Sequence, residues 1–366
     1  MGEVQFEVVH TSPSTRARAG VLKLPHGVVE TPAFMPVGTQ GVVKTLTSDD
    51  LESLEYEMVL ANAYHLALRP SAEQIAKLGG LHRFMAWPHP ILTDSGGFQV
   101  MSLAHQRKVT ERGVWFRSHI DGAEFDLTPE RALEIQSLLG VDVSMALDVC
   151  PPYPCEERVL EEAVRRTTLW AERCIAARRN GQTLFGIVQG GTSAKLRQRS
   201  LAEVTALPFE GFALGGVSVG EPTELQRPIV AEFMPSLPAD KPRYLMGVGQ
   251  PKDILHAVRH GADLFDCVLP TRAARHHSVY TLKGVVDVTT ARWTDHAGPW
   301  DEMSVFPLTA RYSAAYVRHL FKAGEPTASR IATLHNLAFY RRLMREIREA
   351  ILTDRWDALE ERYSEA

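Results

Sequence analysis

The 366-residue chain could form one large α/β domain or two ordinary ones, and 45% apolar against 23% charged residues supplies a sizeable core. Its formal charge of −4 excludes a global attraction to nucleic acid, so a polyanionic partner must meet a local basic patch. No apolar run of roughly 18 residues and no charged-then-apolar leader pattern in MGEVQFEVVH point to a soluble, cytoplasmic protein with no membrane partner.

Eight short apolar or β-prone runs follow in chain order: 33–37, 57–61, 91–93, 143–147, 184–188, 212–214, 244–247 and 263–265. Most precede a helix-like stretch. The clearest has Thr128 as N-cap, Pro129 at the first helical position, Ala132, Ile135, Leu138 and Leu139 on one face, and Gly140 as its stop. A charged helix is expected over about 157–179 after the break at Pro151–Pro154. This alternation predicts a (β/α)8 TIM barrel of class α/β, with a doubly wound sheet as the alternative.

Three aspartates close apolar runs just before glycine or turn residues: Asp94 in ILTDSGGFQV, Asp148 in VSMALDVCPPYP and Asp266 in ADLFDCVLPTR. Barrel active sites lie at the C-terminal ends of the strands, and these acids fall after the third, fourth and eighth runs. Gln189 with Gly190 and Gly191, Gly215 with Gly216, and Gly247 with Gly249 follow the fifth to seventh. Singly, each position reads as an ordinary cap or turn; as a set they predict one pocket of converging carboxylates, as glycosyl transfer uses. The four cysteines, Cys150, Cys155, Cys174 and Cys267, have no CxxC pairing and indicate neither a disulfide framework nor a cysteine-rich metal site.

Segment 270–330 does not fit a ninth barrel unit. LKGVVDV reads as a hairpin around Lys283-Gly284, and a helix over about 312–322 ends at Gly324. In the last helical stretch, about 327–351, Arg341, Arg345 and Arg348 share a face, either solvated or phosphate-contacting. Arg272, Arg275, His276 and His277 beside Asp266 are candidates for holding RNA.

TPAFMPVGTQGVVKTL, NAYHLALRP, GGLHRFMAWPHPILTDSGGFQVMSL, FRSHIDGAEFDLTPE, FGIVQGG, GGVSVGEP, DKPRYLMGVGQP, LFDCVLPTR, YVRHLFKAGE and TLHNLAFY occur in this order. Through them the chain resembles the bacterial tRNA-guanine transglycosylases (queuine tRNA-ribosyltransferases) nearly end to end. The resemblance implies one irregular (β/α)8 catalytic domain with a small subdomain, about 280–335, equivalent to that family's zinc-binding region. It further implies a homodimer that exchanges the wobble guanine of certain tRNAs for a 7-deazaguanine.

By the same resemblance Asp266 is the nucleophile that forms a covalent ribosyl-enzyme intermediate. Asp94 is the general acid/base, oriented by Ser95, Asn62 and Gln99. Arg272 or Arg275 would keep Asp266 ionised by lowering its pKa. Asp148 takes the N–H donors of the base, Gln189 and the Gly216 backbone take its carbonyl face, and Phe98 and Met246 sandwich the ring. Cys150, Val217 and Ser218 complete the substrate-binding set. Val219 matches the bacterial pattern, where a glycine would admit queuine, so preQ1 is the expected base; Ser218 is closer to the eukaryotic pattern.

The resemblance breaks at the metal. Ser304, Phe306 and Thr309 occupy the positions of the three zinc cysteines, leaving only His335. One imidazole cannot hold tetrahedral zinc, so no zinc and no other cofactor is expected. His335 then reads as a packed or capping residue, and Val305, Phe306, Leu308 and Tyr312 as an apolar substitute. Smaller departures are Ala61, Ala63, Val149 and the ARHHSV segment at 274–279. Two other readings are a paralogue exchanging a different base or nucleic acid, and a non-catalytic tRNA-binding partner subunit; the second predicts lost carboxylates, yet Asp94 and Asp266 remain.

Overall fold

The computed structural model describes residues 4–103, 106–301 and 307–366. The eight runs become eight parallel strands: β1 (Ala33–Gly38), β2 (Val59–Ala61), β3 (Ile91–Thr93), β4 (Val143–Met145), β5 (Thr183–Val188), β6 (Gly211–Leu214), β7 (Arg243–Leu245) and β8 (Leu264–Cys267). Each pairs with the next, and β8 returns to β1 with Leu264 opposite Ala33 and Asp266 opposite Met35. The strand order never reverses, so the barrel closes and the doubly wound alternative is excluded.

Every residue of β1 to β7 is buried, because inward side chains fill the barrel and outward ones meet helices. The interior holds Met35, Val37, Leu60, Leu92, Val143, Met145, Phe185, Ile187, Ala213, Tyr244 and Leu264. Leu22 and Val29 join this cluster from an antiparallel sheet of Gln5–Thr11, Arg18–Leu24 and Gly27–Thr31 that the sequence reading did not foresee. Its turn residue His26 donates its backbone N–H to Asp142, just before β4. The sheet therefore plugs the N-terminal end of the barrel and leaves the C-terminal end for chemistry. A second unforeseen sheet, Arg107–Val109, Val114–Arg117 and Glu124–Leu127, is inserted between β3 and β4.

The foreseen helix forms over Pro129–Leu139: Thr128 Oγ1 accepts the Arg131 N–H at 3.2 Å, and Gly140 ends it in the left-handed conformation at φ 71°. The charged helix is Glu157–Ala177. Among the described residues no helix is long and apolar enough to cross a membrane.

After β8 the chain makes a short helix, Leu269–Arg275, then a hairpin of Ser278–Thr281 and Gly284–Asp287, and a helix Ala314–Ala323 capped by Ser313 and Gly324. The 28-residue helix Pro326–Thr353 then returns to the barrel, where the Tyr56 hydroxyl bonds the Leu337 carbonyl at 2.9 Å. Small apolar clusters hold this excursion: Ala274, Val279, Val288 and Ala332, and Val317, Leu320, Ala328 and Ile331, with Trp300 and Phe321 against both. Of the expected apolar substitute, Val305 and Phe306 lie outside the described residues. Leu308 packs on the main barrel core instead, and only Tyr312 joins the second small cluster. The arginine row divides between protein and solvent: Arg341 and Arg348 are partly buried against protein, and Arg345 stands exposed on the surface. Arg341 pairs with Glu57 (3.2 Å), Arg345 with Glu55 (3.2 Å) and Arg348 with Glu30 (3.3 Å).

Candidate active site

The first residue past β3, Asp94, points into the open end of the barrel. Its Oδ1 accepts the Ala63 N–H at 2.9 Å and its Oδ2 the Asn62 side-chain amide, both from the segment leaving β2. Burial pushes the Asp94 carboxyl up to about 7 against these two bonds, and the charge of Asp266 adds to the rise. A carboxyl titrating there can carry a proton at neutral pH and release it.

Asp266 lies within β8. Its Oδ1 accepts the Tyr244 hydroxyl at 2.5 Å and the Gly247 N–H at 2.8 Å, while Oδ2 accepts no hydrogen bond from the described residues. Burial raises this carboxyl above the usual range, and the bonds from Tyr244 and Gly247 oppose the rise. The expected lowering by Arg272 or Arg275 is corrected here. Neutral donors, not a guanidinium, steady the carboxylate: among the described residues no ion pair joins Asp266 to Arg272 or Arg275.

Asp148 follows β4, accepting the Gln189 amide on Oδ2 at 2.6 Å and the Ser95 hydroxyl on Oδ1 at 3.5 Å. Burial pushes it up to about 6, with the bonds from Gln189 and Ser95 opposing. Ser95 therefore serves Asp148 rather than Asp94. Gln99 does not bond Asp94 either: its buried Oε1 has no hydrogen-bond partner among the described residues, and neither does Gln189 Oε1. These are vacant acceptors on a cavity wall.

One cavity of about 620 Å³ joins the three carboxylates. Asn62, Ser95, Phe98, Gln99, Cys150, Gln189, Gly216, Val217, Ser218, Met246 and Arg272 line it too. Phe98 is 49% exposed, so its ring stands at the mouth with a face available for stacking. Arg275, His276 and His277 do not line the cavity. Arg275 bonds the Thr271 carbonyl at 3.0 Å, His277 packs edge-on to Phe321 at 5.0 Å, and His276 is exposed nearby.

Four participants escaped the sequence reading. Tyr244 sits in an apolar strand, where a hydroxyl needs a partner; that was the available signal. Glu221, which accepts the Ser218 and Val219 N–H groups, looked like part of a loop motif. His65 lines the cavity, and burial chiefly lowers its pKa. Arg197, fully buried on the helix Ala194–Thr205, looked like one of many surface cations.

A closed barrel whose C-terminal rim gathers three buried acids around one cavity defines an enzyme of the barrel class, equipped for acid–base and nucleophilic chemistry. A sequence model of the family described as Queuine tRNA-ribosyltransferase matches residues 12–366. Proteins named queuine tRNA-ribosyltransferase are similar over nearly all of their length. That of Mesorhizobium japonicum is 51% identical over 355 residues, covering 96% of this chain and 94% of its own. That of Sorangium cellulosum is 54% identical over 343 residues (93% and 87%), and that of Desulforamulus reducens 50% over 353 (96% and 95%). The chain belongs to the queuine tRNA-ribosyltransferase family, the tRNA-guanine transglycosylases, which are pentosyltransferases.

Zinc, usual in that family, does not fit the residues present. No cysteine follows Cys267, and the four thiols lie in the cavity wall (Cys150, Cys267), inside the long charged helix (Cys174) or on the surface (Cys155). Ser304 and Phe306 lie outside the described residues, and Thr309 offers only a hydroxyl. Buried His335 already places Nε2 2.8 Å from the Tyr280 carbonyl, and burial lowers its pKa. Elsewhere, His26, His82 and Asp142 form a cluster of ligand-type atoms at the closed end of the barrel. The two imidazoles stack 3.6 Å apart at an interplanar angle of 19°, so a cation in the plane of one ring lies well out of the plane of the other.

Proposed function

We propose that the cavity exchanges the wobble guanine of tRNA for preQ1 through a covalent intermediate on Asp266. The observation that carries this reading is the division of labour between neighbouring acids. Asp266 has one oxygen held and one that accepts no hydrogen bond from the described residues, while Asp94 is poised to titrate near neutrality. Oδ2 of Asp266 attacks ribose C1′ as the glycosidic bond to guanine breaks, and Asp94 delivers its proton to the departing base. The incoming base then gives a proton to Asp94 and attacks C1′, breaking the ester to Asp266. Two displacements retain configuration.

Asp148 takes the N–H donors of the base. Gln189 must leave that carboxylate when the base arrives, turning its amide toward the base carbonyl beside Gly216. Phe98 and Met246 enclose the ring, with Cys150, Val217 and Ser218 along its edge. Arg272 at the rim, with Arg275, His276 and His277 beside it, supplies the local cations that a net acidic protein needs for RNA.

Support for preQ1 comes from the loop around Val219. Glu221 accepts the N–H groups of Ser218 and Val219, so the Val217 carbonyl is turned away from that carboxylate, free to accept from an aminomethyl ammonium. Val219 occupies the space that a cyclopentenediol requires. Val219→Gly is expected to raise kcat/KM for queuine at least severalfold with little change for preQ1; unchanged queuine use removes the steric argument.

The decisive experiment is denaturing-gel capture of an RNA–protein adduct from unmodified tRNA. Wild type should trap tRNA and incorporate radiolabelled guanine, and Asp266→Asn should do neither. An adduct that persists in the variant overturns the assignment of the nucleophile.

A further inference from the structure

We infer that Arg197 is a positioning residue that aims the Gly216 N–H at the 6-oxo group of the bound base, an inference that rests on the guanine-exchange reading above. Arg197 has no exposed surface. Its Nε donates to the Gly191 carbonyl at 2.6 Å, and its Nη2 donates to the carbonyls of Gly215 and Gly216, each at 3.0 Å. Among the described residues no carboxylate forms an ion pair with it; peptide carbonyls accept its hydrogen bonds, and the Glu221 carboxylate favours its charge only from a distance. Burying a charge in that way is costly. What the arrangement provides is a rigid fork that grips three carbonyls of two loops at once, which no neutral side chain can do.

The grip has a directional consequence. In a trans peptide the C=O and N–H point to opposite sides. With the Gly215 carbonyl held on Arg197, the Gly216 N–H must face the other way, and there it meets the Cys150 sulfur on the cavity wall. Gly216 sits at φ 62°, a conformation that favours glycine, and a Cβ there would press on Gln189 Oε1. A loop of two glycines has no intrinsic preference for this orientation; the guanidinium imposes it. Beside Asp148, which receives the N1–H and 2-amino donors, the next group on a guanine edge is its 6-oxo acceptor. A fixed N–H there favours an oxo group and opposes the 6-amino donor of adenine.

Equilibrium dialysis with radiolabelled guanine and 6-thioguanine tests this, because the thione keeps both donors facing Asp148 but is a poor acceptor. Wild type should prefer guanine. Arg197→Lys, which keeps the charge and most of the stem, should weaken guanine binding about tenfold and 6-thioguanine binding much less, so the preference collapses. tRNA affinity should stay as in wild type. Equal losses for both bases, or no loss for either, overturn the role. Should the variant fail to fold, a crystal structure of wild type with guanine decides. A 6-oxo group bonded to the Gly216 N–H, with the Gly215 carbonyl still on Arg197, supports the inference, and an oxo group seated elsewhere ends it. Failure of the Arg197 role while wild type still binds guanine leaves the base-exchange reading standing; a wild type that binds neither base removes both.

Discussion

At the scale of single residues, the site works by holding acids in states that water would not allow. Asp94 is pushed from the ordinary 3.8 up to about 7, chiefly by burial. The native state therefore keeps a proton that the unfolded chain releases. Stability is unaffected below the ordinary carboxylate range, falls as pH rises through that window, and levels off above about 7. Asp94→Asn removes the ionisation. Urea titrations should show the variant more stable than wild type at pH 8, on the order of 3 kcal/mol, with the gap closing toward pH 4 although base exchange is abolished. A variant less stable than wild type at both pH values would contradict the assignment.

At the scale of elements, the acids are placed by cross-links between strands and helices rather than by their own loops. Gln136, wholly buried on the helix Pro129–Leu139, accepts from the Thr93 hydroxyl (3.0 Å) and the Met145 N–H (2.8 Å), and donates to the Met145 carbonyl (3.0 Å). Thr93 precedes Asp94, and Met145 lies shortly before Asp148, so one amide staples the ends of β3 and β4. Gln136→Leu keeps the volume but strands these groups, with an expected loss of about 2–4 kcal/mol in denaturant unfolding. KM for the base should rise as well, since the two acids lose their common anchor. A destabilisation below about 1 kcal/mol would show that the strand ends hold their register without it.

At the scale of the whole molecule, the excursion after β8 stands on packing and on Asn336. That side chain accepts the Tyr280 N–H at 2.9 Å and donates to the carbonyls of Pro270 (2.9 Å) and Ser278 (3.0 Å). It ties the hairpin to the helix carrying Arg272. We expect purified protein to contain well below one zinc per chain and a chelator to leave its melting temperature unchanged. Near-stoichiometric zinc would sink this expectation, and a monomeric mass by light scattering would remove the homodimer taken from the family.

The eight strands were legible because a parallel barrel demands short, mostly apolar runs, and the acids were legible because each closes such a run at its end. The N-terminal plug and the sheet of Arg107–Val109, Val114–Arg117 and Glu124–Leu127 were not, since half-exposed antiparallel strands carry weak patterns. By itself the sequence determined the barrel, the family and the three aspartates, all of which rest on local pattern and residue identity. Only the tertiary structure decided that Tyr244 and Gly247 steady Asp266, that Ser95 serves Asp148, and that Arg197 lies buried beneath the Gly215–Gly216 turn. Hydrogen-bond partners and burial are set by which distant segments the closed barrel brings together, and no local pattern records them.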